Sequence, residues 1–207
     1  MSNLAQRFIT GFFGVSIMVG AILWNELSFA FLFLVISVLS LNEFYGLSSK
    51  AGVQPQRTTG LAAGILLFVC LSVLAPYASD TVGYTFAYIF IPVLFMVFII
   101  ELYRKKENPF NNIAWTVLGI VYISFPLALF TWIPFTELLG GYKHNIVLGY
   151  FFILWAGDTA AYFAGVNLGK HKLFERHSPK KTWEGSIGGA IASFGVAFLV
   201  AHYYTDI

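Results

Sequence analysis

Charge is scarce in this chain of 207 residues: Asp, Glu, Lys and Arg make up 11% of it, against about 25% in an ordinary soluble domain. With 58% hydrophobic residues and a mean hydropathy of +0.75, water is not its principal solvent. Cysteine is nearly absent too. The single Cys70, inside an apolar stretch, excludes a disulfide framework and a cysteine-based metal site and reads as a small packing residue. There are no internal repeats, no low-complexity tract and no polar stretch long enough for a soluble domain. A cleaved leader is not expected either. The apolar run after Arg7 ends in Trp24-Asn25-Glu26 without the small residues that a signal peptidase needs, and a second apolar run follows at once.

What the chain does have is long hydrophobic runs. A helix crosses roughly 30 Å of hydrocarbon with about 20 apolar residues, and seven segments approach that length. They are Phe8–Trp24, Ser28–Leu47, Leu61–Pro76, Tyr84–Leu102, Ile113–Pro134, Asn145–Gly165 and Ser186–Tyr204, the third being the shortest. The expected fold is all-α, a polytopic transmembrane helix bundle of about seven spans with a cytoplasmic N-terminus, forming one membrane domain over 1–207. On this plan Arg7, Lys50, Arg57, the Arg104-Lys105-Lys106 cluster and the five cations from Lys170 to Lys181 share one side, and only Lys143 lies on the other. Eleven of twelve cations on one face is the asymmetry of cytoplasmic loops, and a wrong span count would scatter them. Trp24, Trp132 and Tyr203-Tyr204 fall near span ends, where amphipathic rings sit at the headgroups. Pro92 and Pro126 remove backbone donors within helices and favour kinks. Gly60-x-x-x-Gly64 and Gly185-x-x-x-Gly189 read as small-residue packing faces.

Three acids stand in or beside apolar spans. Glu101 precedes the cluster from Arg104 to Lys106 and reads as an interfacial charge with partners. Glu43, about one turn from a boundary, is explained equally by snorkelling, an ion pair or function. Asp158 lies far from any basic residue in the chain. At that depth an ionisable group is costly unless it faces a partner or a polar cavity, so function is the leading reading and a structural acid paired with a lysine the other. Tyr162 and Gly165, four and seven residues on, share its helical face. The densest polar stretch, within a basic loop placed at 166–185 on the cytoplasmic side, carries Lys170, Lys172, Arg176, Lys180 and Lys181. These cations suit anionic headgroups, or the grip on a polyphosphate, since Lys180 and Lys181 directly precede a helix start where free amides favour anions. The spacing of His171 and His177 is weak for a metal.

At these residues the chain resembles a known family. Gly157-Asp158-Thr159-Ala160-Ala161-Tyr162-Phe163-Ala164-Gly165 followed by Ser178-Pro179-Lys180-Lys181-Thr182-Trp183-Glu184-Gly185 is similar to the phosphatidate cytidylyltransferases (CDP-diacylglycerol synthases). Leu4-Ala5-Gln6-Arg7-Phe8-Ile9-Thr10-Gly11 and Asn42-Glu43-Phe44-Tyr45 fit the bacterial form, and the likeness spans the chain. It implies that CTP and phosphatidate give CDP-diacylglycerol and pyrophosphate in phospholipid biosynthesis, in a multi-pass protein of the bacterial inner membrane. It further implies Mg²⁺ as cofactor, membrane lipids and a homodimer as partners, and no nucleic acid. By the same likeness Asp158 and Lys181 are the candidate catalytic residues, with Asp158 also a metal ligand. Lys180 and Lys181 would grip the triphosphate, Ser178 and Thr182 donate hydrogen bonds, and Glu184 orient its neighbours. The family's further acidic block, downstream of these motifs, does not occur before Asp206-Ile207, so the chain resembles the N-terminal two-thirds of such an enzyme. The alternatives are a non-catalytic membrane protein that binds nucleotide or anionic lipid, or one needing a partner for the missing acids, and a small transporter. The cation-rich loop argues against the transporter because it is not a midplane site.

Overall fold

The computed structural model describes residues 3–74, 80–136, 141–176 and 178–203. Helices occupy all seven predicted apolar segments: α1 (Asn3–Trp24), α2 (Glu26–Lys50), α3 (Arg57–Leu74), α4 (Asp80–Arg104), α5 (Pro109–Gly119) continuing into α6 (Phe125–Phe130), α7 (His144–Leu168) and α8 (Trp183–Tyr203). Among the described residues, four stretches are long and apolar enough to cross a membrane: Glu26–Lys50, Pro109–Phe130, His144–Leu168 and Trp183–Tyr203. The apolar parts of α1 and α3, Phe8–Trp24 and Arg57–Ser72, are shorter. The fold is all-α, as a membrane helix bundle requires, because every backbone polar group in lipid must be satisfied within its own segment. The exposed residues include Phe31, Leu39, Phe95, Leu102, Phe194 and Phe198, a surface that would be untenable in water.

The chain divides into two compact units, Met1–Tyr142 and Lys143–Ile207. Within the first, the boundary between α1 and α2 is a capping box: the Ser28 amide donates to Asn25 Oδ1 at 2.8 Å, and the Asn25 amide to Ser28 Oγ at 3.1 Å. Thus the Asn25-Glu26 interruption starts a new helix. Next to Pro126 the helix widens locally. A π-helical turn, Ile120–Ser124, joins α5 to α6, and the Phe125 amide reaches back to the Ile120 carbonyl. Gly60 and Gly64 are packing positions: a Cβ on Gly60 would collide with the Tyr45 ring, and one on Gly64 would meet Leu41 Cδ2 at 2.6 Å.

Glu101 has the partners expected of it, and more than the basic cluster supplies. It is 2% exposed and accepts from Gln56 Nε2 (2.8 Å), Arg104 (2.7 Å) and Asn112 Nδ2 (2.8 Å). Asn112 Oδ1 in turn accepts from the Gln54 amide, and Thr116 Oγ1 from the Gln56 amide. The partner anticipated from the basic cluster is present in Arg104, while Gln56 and Asn112 are the tertiary part of the network. A buried carboxylate is tolerable only when its oxygens are met this way. Glu43 is exposed on α2. The first unit also carries a two-residue strand pair, β1 (Phe135–Thr136) antiparallel to β2 (Gly141–Tyr142). In the second unit α7 and α8 flank a short antiparallel hairpin, β3 (Lys172–Phe174) and β4 (Ser178–Thr182), with Lys172 opposite Thr182 and Phe174 opposite Ser178. The basic segment therefore has strand structure rather than being an irregular loop.

Candidate functional site

Small residues set the separation of α7 and α8. A Cβ on Gly185 would lie 2.9 Å from the Ala161 carbonyl oxygen and 3.2 Å from Gly165 Cα. One on Gly189 would stand 2.9 Å from both Ala161 Cβ and the Gly157 carbonyl oxygen. The small-residue face predicted at Gly185 and Gly189 is therefore a contact against which no side chain fits. With the helices this close, the hairpin folds across their end, and a cavity of about 650 Å³ remains beneath it.

That cavity gathers residues widely spaced in sequence. Asp158, Tyr162 and Gly165 come from one face of α7, Lys172 from β3, Lys180, Lys181 and Thr182 from β4, and Gly185 and Ser186 from the first turn of α8. Three lysines face one aspartate, leaving a formal excess of two positive charges in the wall. Asp158 is exposed to this space. Neither ion pair among the described residues, Arg104–Glu101 or His171–Glu184, includes it or a hairpin lysine. The reading of Asp158 as a structural acid locked to a lysine thus lacks its partner. A wall with unpaired cations and one carboxylate is chemically suited to a polyanion together with a cation.

Thr182 is 7% exposed, and its Oγ1 accepts from the Gly185 amide at 3.2 Å, so it caps α8. Its hydroxyl proton remains available to donate into the cavity. The expectation of free amides at the helix start is corrected here. The Trp183 amide donates to the His171 carbonyl at 3.0 Å and the Gly185 amide to Thr182, so two of the first-turn donors are already engaged. An anion in the cavity must therefore be held by side chains more than by the first turn of α8.

Ser178 and Glu184 are not part of the cavity wall. Ser178 is half-buried at the start of β4. Glu184 faces the other side of the hairpin, where its carboxylate accepts from the Lys170 amide (3.1 Å) and the His171 amide (3.3 Å) and pairs with His171 Nδ1 at 2.6 Å. It fixes the turn that leads into β3, an orienting position. His177 lies outside the described residues. Sequence reasoning counted Lys172 only as one more cation. Its place in the wall follows from the register opposite Thr182, a pairing that no local pattern announces.

Among the described residues there is no group of three or more His, Cys, Asp or Glu able to enclose a metal. The cavity offers one carboxylate, which suits a hard divalent ion held mainly by phosphate oxygens and water, and does not suit an all-protein cage.

Residues 5–207 match the family described as the cytidylyltransferase family. The chain is 30% identical over 206 residues to a phosphatidate cytidylyltransferase of Brucella suis biovar 1, covering 97% of this chain and 68% of that protein. It is 24% identical over 201 residues to the phosphatidate cytidylyltransferase of Bacillus subtilis, covering 95% and 71%. With the Haemophilus influenzae phosphatidate cytidylyltransferase it shares 39% identity over 120 residues, 45% of this chain and 42% of that one. The chain thus spans less than half of the Haemophilus relative and about two thirds of the other two. No solved structure gives a significant match.

Proposed function

This chain belongs to the cytidylyltransferase family, and from that premise we propose that it serves the transfer of a cytidylyl group from CTP to phosphatidate, giving CDP-diacylglycerol and pyrophosphate. The observation that carries the reading is the cavity wall, in which Asp158, Lys172, Lys180, Lys181 and Thr182 converge from three elements. In the reaction a phosphate oxygen of phosphatidate forms a bond to the α-phosphorus of CTP. The bond from that phosphorus to the oxygen bridging the β-phosphate breaks, and its electron pair leaves with pyrophosphate. No nucleophile is required of the protein, so its task is positioning and charge neutralisation. Lys180 and Lys181 hold the triphosphate, Lys172 adds a third cation, and the Thr182 hydroxyl donates to a phosphate oxygen while its own oxygen stays engaged with α8. Glu184 keeps the hairpin in register from behind. A magnesium ion held by Asp158 and by phosphate oxygens would offset the charge that builds on the leaving group.

The same reading makes the protein a multi-pass protein of the bacterial inner membrane with seven spans and both the N-terminus and the hairpin in the cytoplasm. The placement of eleven of twelve cations on one face supports this. CTP then approaches from the cytoplasm and the lipid from the bilayer, and a homodimer is the proposed assembly. The single carboxylate in the cavity favours a second reading: the chain binds nucleotide and anionic lipid, and further metal ligands come from another segment or a partner.

Membranes containing the chain, supplied with radiolabelled CTP, phosphatidate and Mg²⁺, test the first reading directly. Label should become chloroform-soluble, and Asp158→Asn should abolish the signal. Retained CTP binding with no labelled lipid at all would transfer the proposal to the second reading, and absence of both would defeat the two together.

A further inference from the structure

Asp158 borders two hollows. Beside the cavity under the hairpin, a groove of about 270 Å³ runs along the same helix pair, lined by Tyr150, Ile153, Leu154, Gly157 and Asp158 of α7 and by Gly189 and Ser193 of α8. The α7 residues recur at the spacing of one helical stripe. From Asp158 the groove extends towards the start of α7, whereas the cavity extends the other way, through Tyr162 and Gly165 to the hairpin. Eight residues separate Tyr150 from Asp158, about 12 Å along a helix axis. That is close to half of a hydrocarbon core roughly 30 Å thick. Gly189 forms part of the groove's wall, and the groove lies between helices that are both apolar enough to sit in lipid.

The two hollows differ in character on either side of one residue. Towards the hairpin the wall carries three lysines; along the groove the charge is Asp158 alone, with the Ser193 hydroxyl and the Tyr150 phenol as neutral polar groups beside the aliphatic side chains. Ser193 is already engaged, donating to the Ile153 carbonyl at 3.3 Å. A molecule charged at one end and aliphatic at the other matches this sequence of surfaces; a free nucleotide or inorganic phosphate matches the cavity alone. Resting on the reading that the cavity takes a phosphorylated lipid, the geometry points to the groove as the seat of one acyl chain of that lipid. The lipid phosphate lies by Lys172, beside the triphosphate held by Lys180 and Lys181, the glycerol passes Asp158, and the chain follows Leu154 and Ile153 towards Tyr150. An acyl chain leaving the bilayer for this groove exchanges one apolar surrounding for another. The groove therefore contributes orientation rather than hydrophobic affinity, fixing where the phosphate points.

A phosphatidate carrying a photoreactive diazirine midway along one acyl chain tests this in the purified chain reconstituted in nanodiscs. Labelling should concentrate on residues 150–157 and 189–193, compete with unlabelled phosphatidate, and fall at least several-fold in Leu154→Trp, whose indole fills the groove. A photoreactive CTP probe in the same preparations, labelling the hairpin equally in both proteins, shows that the variant is folded and that the cavity is intact. Nucleotide labelling without lipid labelling of the groove would overturn the groove and leave the cavity reading standing. Failure of both probes would overturn the cavity reading as well. Equal labelling by phosphatidylcholine with the same diazirine would also overturn the proposal, because the groove would then take any lipid chain regardless of headgroup.

Discussion

Replacing Lys181 with alanine should weaken CTP binding without weakening the fold. Lys181 is exposed in the cavity wall and has no ion pair among the described residues, so its removal strands no buried partner. Exposed substitutions of that kind change stability by about 0.5 kcal/mol or less. A hydrogen bond to a charged group contributes about 1.5–3 kcal/mol, and screening by solvent in an open cavity lowers this to about 1–2 kcal/mol. The expected loss in CTP affinity is therefore roughly 5- to 30-fold, at about 1.4 kcal/mol per factor of ten. Lys181→Arg, which keeps the charge, should recover part of it. Raising the salt from about 0.1 M to about 1 M shortens the screening length from about 10 Å to about 3 Å, so the difference between wild type and Lys181→Ala should shrink. Equilibrium binding of labelled CTP to the reconstituted protein, with thermal unfolding of the same samples, gives both quantities. An affinity change below twofold with an unaltered unfolding temperature would refute the assignment of Lys181 to the phosphates.

Other substitutions probe the scaffold. Gly189→Leu forces a side chain against Ala161 Cβ and the Gly157 carbonyl oxygen, each 2.9 Å from the added Cβ. It should lower stability by about 1–3 kcal/mol, read as an earlier unfolding transition in detergent. Glu101→Ala strands Gln56, Asn112 and the partly buried Arg104, and should cost about 3–5 kcal/mol, seen as loss of folded yield. Glu101→Gln should cost less. Glu184→Gln removes the carboxylate that holds the amides of Lys170 and His171 and pairs with the His171 ring. Limited proteolysis within 170–176 should speed up in that variant while the α7–α8 pair stays intact.

The helices were legible because an apolar run of about 20 residues leaves the backbone few alternatives, and the structure places a helix on every one of the seven runs. Three features were not legible, each for a reason that lies beyond local sequence. The π turn at 120–124, beside Pro126, depends on how the preceding carbonyls find donors, which the proline alone does not announce. Glu101 reads as an interfacial charge with basic partners; its burial also depends on Gln56 and Asn112, 45 and 11 residues away. The lysine-rich stretch gives no alternating apolar pattern, so its hairpin is silent in sequence, and with it the place of Lys172. The candidate site was more readable than the fold around it. Asp158, Tyr162 and Gly165 on one helical face, and Lys180, Lys181 and Thr182 beyond, all reach one cavity. Ser178 and Glu184 share the motif with these lysines but do not line the cavity: Ser178 begins β4 opposite Phe174, and Glu184, in the first turn of α8, is engaged with His171.

The most direct measurement uses a single cysteine in the cavity wall. Ser186→Cys, in a Cys70→Ser background, places a thiol in the wall that Asp158 and the hairpin lysines share. A water-soluble maleimide added to the hairpin side should alkylate it, and CTP should slow that reaction in proportion to occupancy. A thiol that the reagent never reaches, or one that reacts at the same rate whether or not CTP is present, would contradict a water-filled, phosphate-binding cavity between α7 and α8.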